Sequence, residues 1–241
     1  MWKARLGAKA VAGASSVLVA SAILGLPSAH AAATSHIAGY VLPASAATTA
    51  SAATTLVVPT LDCAPVQADG FQAIFAGVAL ESAGGNTNGG AGLECNKNSA
   101  VYFAFAEING VVQSSTLTVL PGDTIQVSAS KTPSATGVVV VDGTTSQSFT
   151  GGPGAPVDTV VVGDIAGNCI GLQCSPVPKF GSTAFRNSRI NGRTLADVGA
   201  TRVDFVDASG RVEIRAHALH PGGTAFGGQW VRSCGFTAAR C

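Results

Sequence analysis

Side chains able to do chemistry are sparse in this chain of 241 residues, of which only 11% are charged. A serine nucleophile of the hydrolase kind sits in G-x-S-x-G, a strained turn that exposes its hydroxyl, and that motif does not occur. His217 and His220 run from a strand end into Pro221-Gly222-Gly223 instead of along one helix face, so a structural or exposed role is expected over a metal pair. The stretch Asn86-Thr87-Asn88-Gly89-Gly90-Ala91-Gly92 is glycine-rich but lacks the G-x-G-x-x-G setting between strand and helix that cradles a phosphate. None of the six cysteines falls in C-x-x-C, which leaves zinc weakly supported and disulfides favoured.

Charge is placed unevenly. Residues 33–170 carry nine acids and two lysines, net −7, whereas residues 171–241 carry nine bases and four acids, net +5. Arg186, Arg189 and Arg193 cluster, followed by Arg202, Arg211 and Arg215. This pattern fits a surface for an anionic wall polymer or acidic partner. The reading favoured from sequence is that the two halves fold together and their charges offset.

The elements that position these groups are strands. Apolar residues make up 46% of the chain and the net charge is +1, which excludes a disordered acidic or basic tail. Lys3, Arg5 and Lys9 precede an apolar run from Val11 to Leu26, then Pro27 and Ala29-His30-Ala31, the pattern of a secretory signal over residues 1–31. The run is shorter than the roughly 20 residues of a bilayer span, which disfavours an uncleaved anchor. Residues 32–241 are expected to form one secreted domain with 11 basic and 13 acidic residues, net −2, monomeric and without a membrane span, cofactor or nucleic-acid partner. All six cysteines, Cys63, Cys95, Cys169, Cys174, Cys234 and Cys241, lie in this region, where an oxidising compartment keeps disulfides. Of 15 pairings, Cys169 with Cys174 and Cys234 with Cys241 close short loops, leaving Cys63 for Cys95.

Runs of strand length fall near 36–42, 54–58, 71–79, 100–108, 114–120, 124–130, 136–141, 145–149, 157–163, 181–186, 201–206, 211–218 and 224–231, with 44–53 read as a loop. Thr124-Ile125-Gln126-Val127-Ser128 and Arg211-Val212-Glu213-Ile214-Arg215 alternate as half-buried strands do. Pro121-Gly122-Asp123, Asp142-Gly143 and Ala208-Ser209-Gly210 supply turns, and no segment sustains a capped helical period. The class is all-β, an antiparallel sandwich.

Several islands in order resemble the glutamic peptidases, or eqolisins, a family with a concanavalin A-like antiparallel β-sandwich of two curved sheets. Ile37-Ala38-Gly39-Tyr40-Val41 and Val57-Val58-Pro59-Thr60-Leu61-Asp62-Cys63 resemble its first strands, and Phe75-Ala76-Gly77-Val78 its Trp-Val-Gly-Ile-Asp run. Gly92-Leu93-Glu94-Cys95, Tyr102-Phe103-Ala104-Phe105-Ala106-Glu107, Pro121-Gly122-Asp123-Thr124-Ile125 and Phe226 to Trp230 resemble later strands, so the likeness spans nearly the whole exported region.

The resemblance implies peptide hydrolysis by a glutamate base acting on water and a glutamine that holds the oxyanion. The glutamine should precede Gly92, where none occurs; the base should fall at Val162 or Gly163, neither of which takes a proton. Asp164 is adjacent, but a one-residue step along a regular strand points a side chain to the opposite face. The groove is altered too, with Phe75 for tryptophan and Ala79 for aspartate. The leading expectation is therefore a non-catalytic protein that binds a peptide, glycan or wall component in the concave groove, lined by Phe75, Tyr102, Phe105 and Asn88. The alternative is an acid-acting endopeptidase with a rearranged pair, Asn88 as amide donor and Glu107 or Glu94 as base. Glu107 otherwise reads as a solvated or hydrogen-bonded strand residue.

Overall fold

The computed structural model describes residues 36–63, 71–167, 169–170, 173–174, 177–207 and 210–232. The expected secretory signal, Cys234 and Cys241 lie outside the described residues.

Eighteen strands follow in chain order. They are β1 (Ile37–Ala47), β2 (Ala50–Val57), β3 (Phe71–Glu81), β4 (Thr87–Asn96), β5 (Ser99–Ile108), β6 (Val111–Gln113), β7 (Thr124–Lys131), β8 (Thr136–Asp142) and β9 (Thr145–Gly151). After these come β10 (Val157–Gly167), β11 (Cys169–Ile170), β12 (Gln173–Cys174), β13 (Ser182–Ile190), β14 (Arg193–Thr194), β15 (Thr201–Val203), β16 (Phe205–Val206), β17 (Val212–Ala216) and β18 (Phe226–Trp230). Seven form one sheet in the order β15-β1-β10-β3-β4-β5-β6; the facing sheet runs β16-β17-β18-β13-β2-β7-β8-β9, with β14 on β13. The pairings are antiparallel, and no helix occurs among the described residues.

Alternation sets the core. Ile74, Ala76, Val78 and Leu80 of β3 face Leu56 of β2 and Ile125 and Val127 of β7, while Phe185 of β13 stacks on Phe226 of β18 with centroids 4.9 Å apart. Burying such side chains supplies the main driving force, about 25 cal/mol per Å² of apolar surface. Cys63 and Cys95 form a disulfide between the segment after β2 and the end of β4. In the β11–β12 hairpin the backbone sets Cys169 opposite Cys174.

Two local expectations differ from the structure, and one further strand carries no alternation in its sequence. Residues 44–53 are the end of β1 and start of β2. Residues 114–120 form no strand: Gln147 holds that segment instead, its Oε1 accepting from Thr116 N and Ser115 Oγ at 2.9 Å each. The glycine-rich stretch 87–96 is a strand, β4, paired on both edges. Glycine fits there because a side chain would collide: a Cβ on Gly90 would lie 1.9 Å from Ala76 O, and one on Gly92 2.3 Å from the Phe103 ring.

Candidate active site

Strand parity assigns Phe75, Gly77, Ala79 and Glu81 of β3 to the outer face of the seven-stranded sheet, opposite the core. Register adds Gly92, Gly90 and Asn88 of β4, then Phe103, Phe105 and Glu107 of β5, as successive rows on that face. In the row Ala79–Asn88–Glu107, Asn88 Nδ2 donates to Glu107 Oε2 at 2.8 Å. Both residues are buried, Asn88 6% and Glu107 7% exposed. Burial raises the Glu107 pKa, and the hydrogen bond from Asn88 opposes the rise. Beyond this row, Phe75 meets Phe105 edge-on at 5.1 Å and Phe103 at 6.4 Å, forming a half-buried aromatic shelf.

Strand β10 brings the fourth element. Val162 pairs with Val78, but the next pair on β3 is Asp164 with Gly77, and on β1 the pairs step from Tyr40–Val162 to Ala38–Ile165. Against both neighbours β10 therefore carries one residue too many, a β-bulge at Gly163. Gly163 has φ +64°, and a Cβ on it would lie 2.1 Å from Phe226 Cζ, so this position looks into the core. The bulge consumes the step that would otherwise bury Asp164. Asp164 emerges on the outer face with Val161, Ala79 and Asn88, where the regular-strand expectation had turned it away.

Asp164 Oδ1 is shut off from solvent and has no hydrogen-bond partner; Asn88 Oδ1, the other arm of the amide that holds Glu107, is likewise buried and unpartnered. From strand spacing and rise, Asn88 and Asp164 stand about 12 Å apart at Cα, two strands across and one side-chain repeat along. The floor between them is Gly77, Gly90 and Ala79, which offer nothing larger than a methyl group. Glu81, on β3, has its pKa raised by burial to about 7. Burial and then the Glu81 charge push Asp164 up to about 8. Near neutral pH burial and the nearness of the two charges keep this pair of carboxyls partly protonated.

Of the residues singled out from sequence, Asn88, Glu107, Phe75 and Phe105 share this face. Tyr102 does not: it pairs with Leu93, packs against the core, and its hydroxyl accepts from Leu61 N at 2.8 Å, because its strand position has the opposite parity. Glu94 shares the face but lies six residues along β4 from Asn88, about 20 Å away beyond the phenylalanines. Burial raises its pKa as well. His217 Nε2 lies 3.3 Å from Gln229 Oε1, and no group of three possible metal ligands occurs among the described residues. Glu81 and Phe103 were not singled out, and Asp164 was weighed and turned away on regular-strand parity; a glycine directly before an acid late in a strand was the available sign of a bulge.

Two comparisons bear on this arrangement. The model of the peptidase A4 family matches residues 35–220, most of the chain. The chain belongs to the peptidase A4 family. Among solved structures, the eqolisin sandwich is similar to the crystal structure of aspergilloglutamic peptidase from Aspergillus niger, with a TM-score of 0.50 and 19% identity, covering 67% of this chain and 98% of that one. No curated protein matches. Eqolisin membership and the two-sheet fold are thus established, and they place the Asn88–Asp164 face on a peptidase-family scaffold.

Proposed function

We propose that this eqolisin-fold protein is an exported endopeptidase whose catalytic pair is Asp164 and Asn88. The observation that carries the reading is the two orphaned, buried acceptors, Asp164 Oδ1 and Asn88 Oδ1, on either side of a bare glycine and alanine floor. Buried polar atoms are almost always satisfied, so two orphaned acceptors on one face point to a partner admitted when the side chains move, in this scheme a water.

In this scheme ionised Asp164 takes a proton from that water as its oxygen attacks the peptide carbonyl carbon. The second hydrogen on Asn88 Nδ2, not used by Glu107, donates to the oxyanion. The C–N bond then breaks, and the amine leaves with the proton held by Asp164. Glu107 touches no reacting atom; it positions the Asn88 amide. Phe75, Phe103 and Phe105 supply an apolar shelf for a substrate side chain. Because Asp164 is raised to about 8 and Glu81 to about 7, the base forms near neutral pH, and activity rises from pH 6 to 9 instead of peaking in acid.

The test is cleavage of an unfolded protein substrate across pH 4–9. Asp164→Asn is expected to lower kcat by about 10²–10⁴, and Asn88→Ala by about 10²–10³. No cleavage by the native protein would return the reading to a non-catalytic peptide- or glycan-binding face. Full activity in Asp164→Asn would move the base elsewhere.

A further inference from the structure

The outer face of the other sheet collects the arginines. Thr55 pairs with Arg186 and Ala53 with Arg189, and both Thr55 and Ala53 lie on that outer face. Two residues of β13 intervene between these pairs where β2 has one, so this strand also carries a bulge, at Asn187 (φ 53°) and Ser188. Ser188 turns inward, its hydroxyl 2.8 Å from Thr54 Oγ1. Arg186, Asn187 and Arg189 are exposed. Across β18, Arg215 of β17 and His217 just after that strand are exposed as well.

Among the described residues neither Arg186 nor Arg215 pairs with a carboxylate, and Arg189 donates to a backbone carbonyl, Gly192 O, at 3.0 Å. The acid of β17 on this face, Glu213, is only 3% exposed and has its own partner. Arg186 and Arg189, paired with Thr55 and Ala53, stand beside a shallow groove of about 210 Å³ lined by Ala53, Thr55, Gln126, Ser128, Val139 and Asn187. That is too small to engulf a drug-sized ligand, and beside the apolar Ala53, Val139 and Val141 it presents the hydroxyls and amides of Thr55, Ser128, Gln126 and Asn187.

From this we infer that the sheet of β2, β7 and β13 carries a docking surface for an anionic polysaccharide bearing carboxylates, separate from the face with Asn88 and Asp164. Guanidinium groups engage carboxylates in forked pairs, and Thr55, Gln126, Ser128 and Asn187 match sugar hydroxyls. The opposite faces then differ in sign. Glu81, Glu94, Glu107 and Asp164 lie on one, and Arg186, Arg189 and Arg215, with the buried Glu213, on the other. The surface would hold the protein on a polymer while leaving the acidic face open.

Polygalacturonate is the probe, dextran the neutral control, and polyphosphate the test of bare charge. Expected results are binding of polygalacturonate at low salt that falls steeply as salt rises, and none of dextran. The double substitution Arg186→Ala with Arg189→Ala should weaken binding at least about tenfold and flatten the salt dependence, with the melting temperature unchanged. Lys179→Ala, an exposed cation already paired with Asp62, should leave binding intact. Gln126→Ala with Asn187→Ala should weaken polygalacturonate binding and spare polyphosphate. Failure to bind polygalacturonate, equal binding by the arginine double variant, or equal loss on both polymers in the groove variant would overturn the inference. None of these readouts depends on peptidase activity, so the two proposals fail separately.

Discussion

Replacing Asp164 by Asn keeps the side-chain shape and removes one titration, which isolates what burial on the outer face costs. Unfolded, the carboxyl loses its proton near 3.8; folded, it keeps it to about 8. Between those values the unfolded chain has shed a proton that the native protein still binds, so stability falls as pH rises and levels off above pH 8. The limiting slope is about 1.4 kcal/mol per pH unit. While the native protein keeps this proton and the unfolded chain has lost it the slope is full, about 1.4 kcal/mol between pH 5 and 6; solvent screening of the half-buried residue shortens the pH window at its upper end and leaves the slope within it unchanged. For a protein of this size that corresponds to a melting-temperature difference of about 3–6 °C. Thermal unfolding at pH 5, 6, 7 and 8 should show Asp164→Asn with a shallower decline than the native protein. Glu81, raised to about 7, contributes a slope of the same sign that persists in the variant. Parallel curves for the two proteins would refute both the bulge and the placement of Asp164 behind it.

Two further outcomes follow from the fold. Gly163→Ala combines a left-handed backbone with a Cβ 2.1 Å from Phe226, so urea unfolding should show a loss of about 2–4 kcal/mol, and native-like stability would place the bulge elsewhere. Removing the Cys63–Cys95 disulfide by double alanine substitution frees a loop with a sequence separation of 32, and calorimetry should show a loss of roughly 3–4 kcal/mol on the chain-entropy account.

Where pattern is local, the sequence was legible. Alternation in 124–128 and 211–215 anticipates β7 and β17, whose buried and exposed positions follow that pattern with the single exception of Glu213. Asn88, Glu107, Phe75 and Phe105 were gathered through the family likeness and do share a face. What stayed hidden depends on partners. Strand β4 gives no alternation signal because asparagine and glycine disfavour strands, and only the likeness at Gly92-Leu93-Glu94-Cys95 pointed to it; β3 and β5 pair along its length and leave no room for side chains at Gly90 and Gly92. Tyr102 and Phe103 differ by one position, and only pairing reveals which of the two looks outward. Asp164 was assigned to the wrong side because regular parity was carried through Gly163, and a bulge is visible only against a neighbouring strand.

That single glycine makes the strand a ratchet with one tooth. Losing or gaining a residue there would exchange which neighbour is presented to solvent while Val160, Val162 and Ile165 keep their seats beneath. A lineage can in this way swap the outward chemistry of an otherwise unaltered strand in one indel, and column-by-column comparison would register a vacancy where the group has only moved next door.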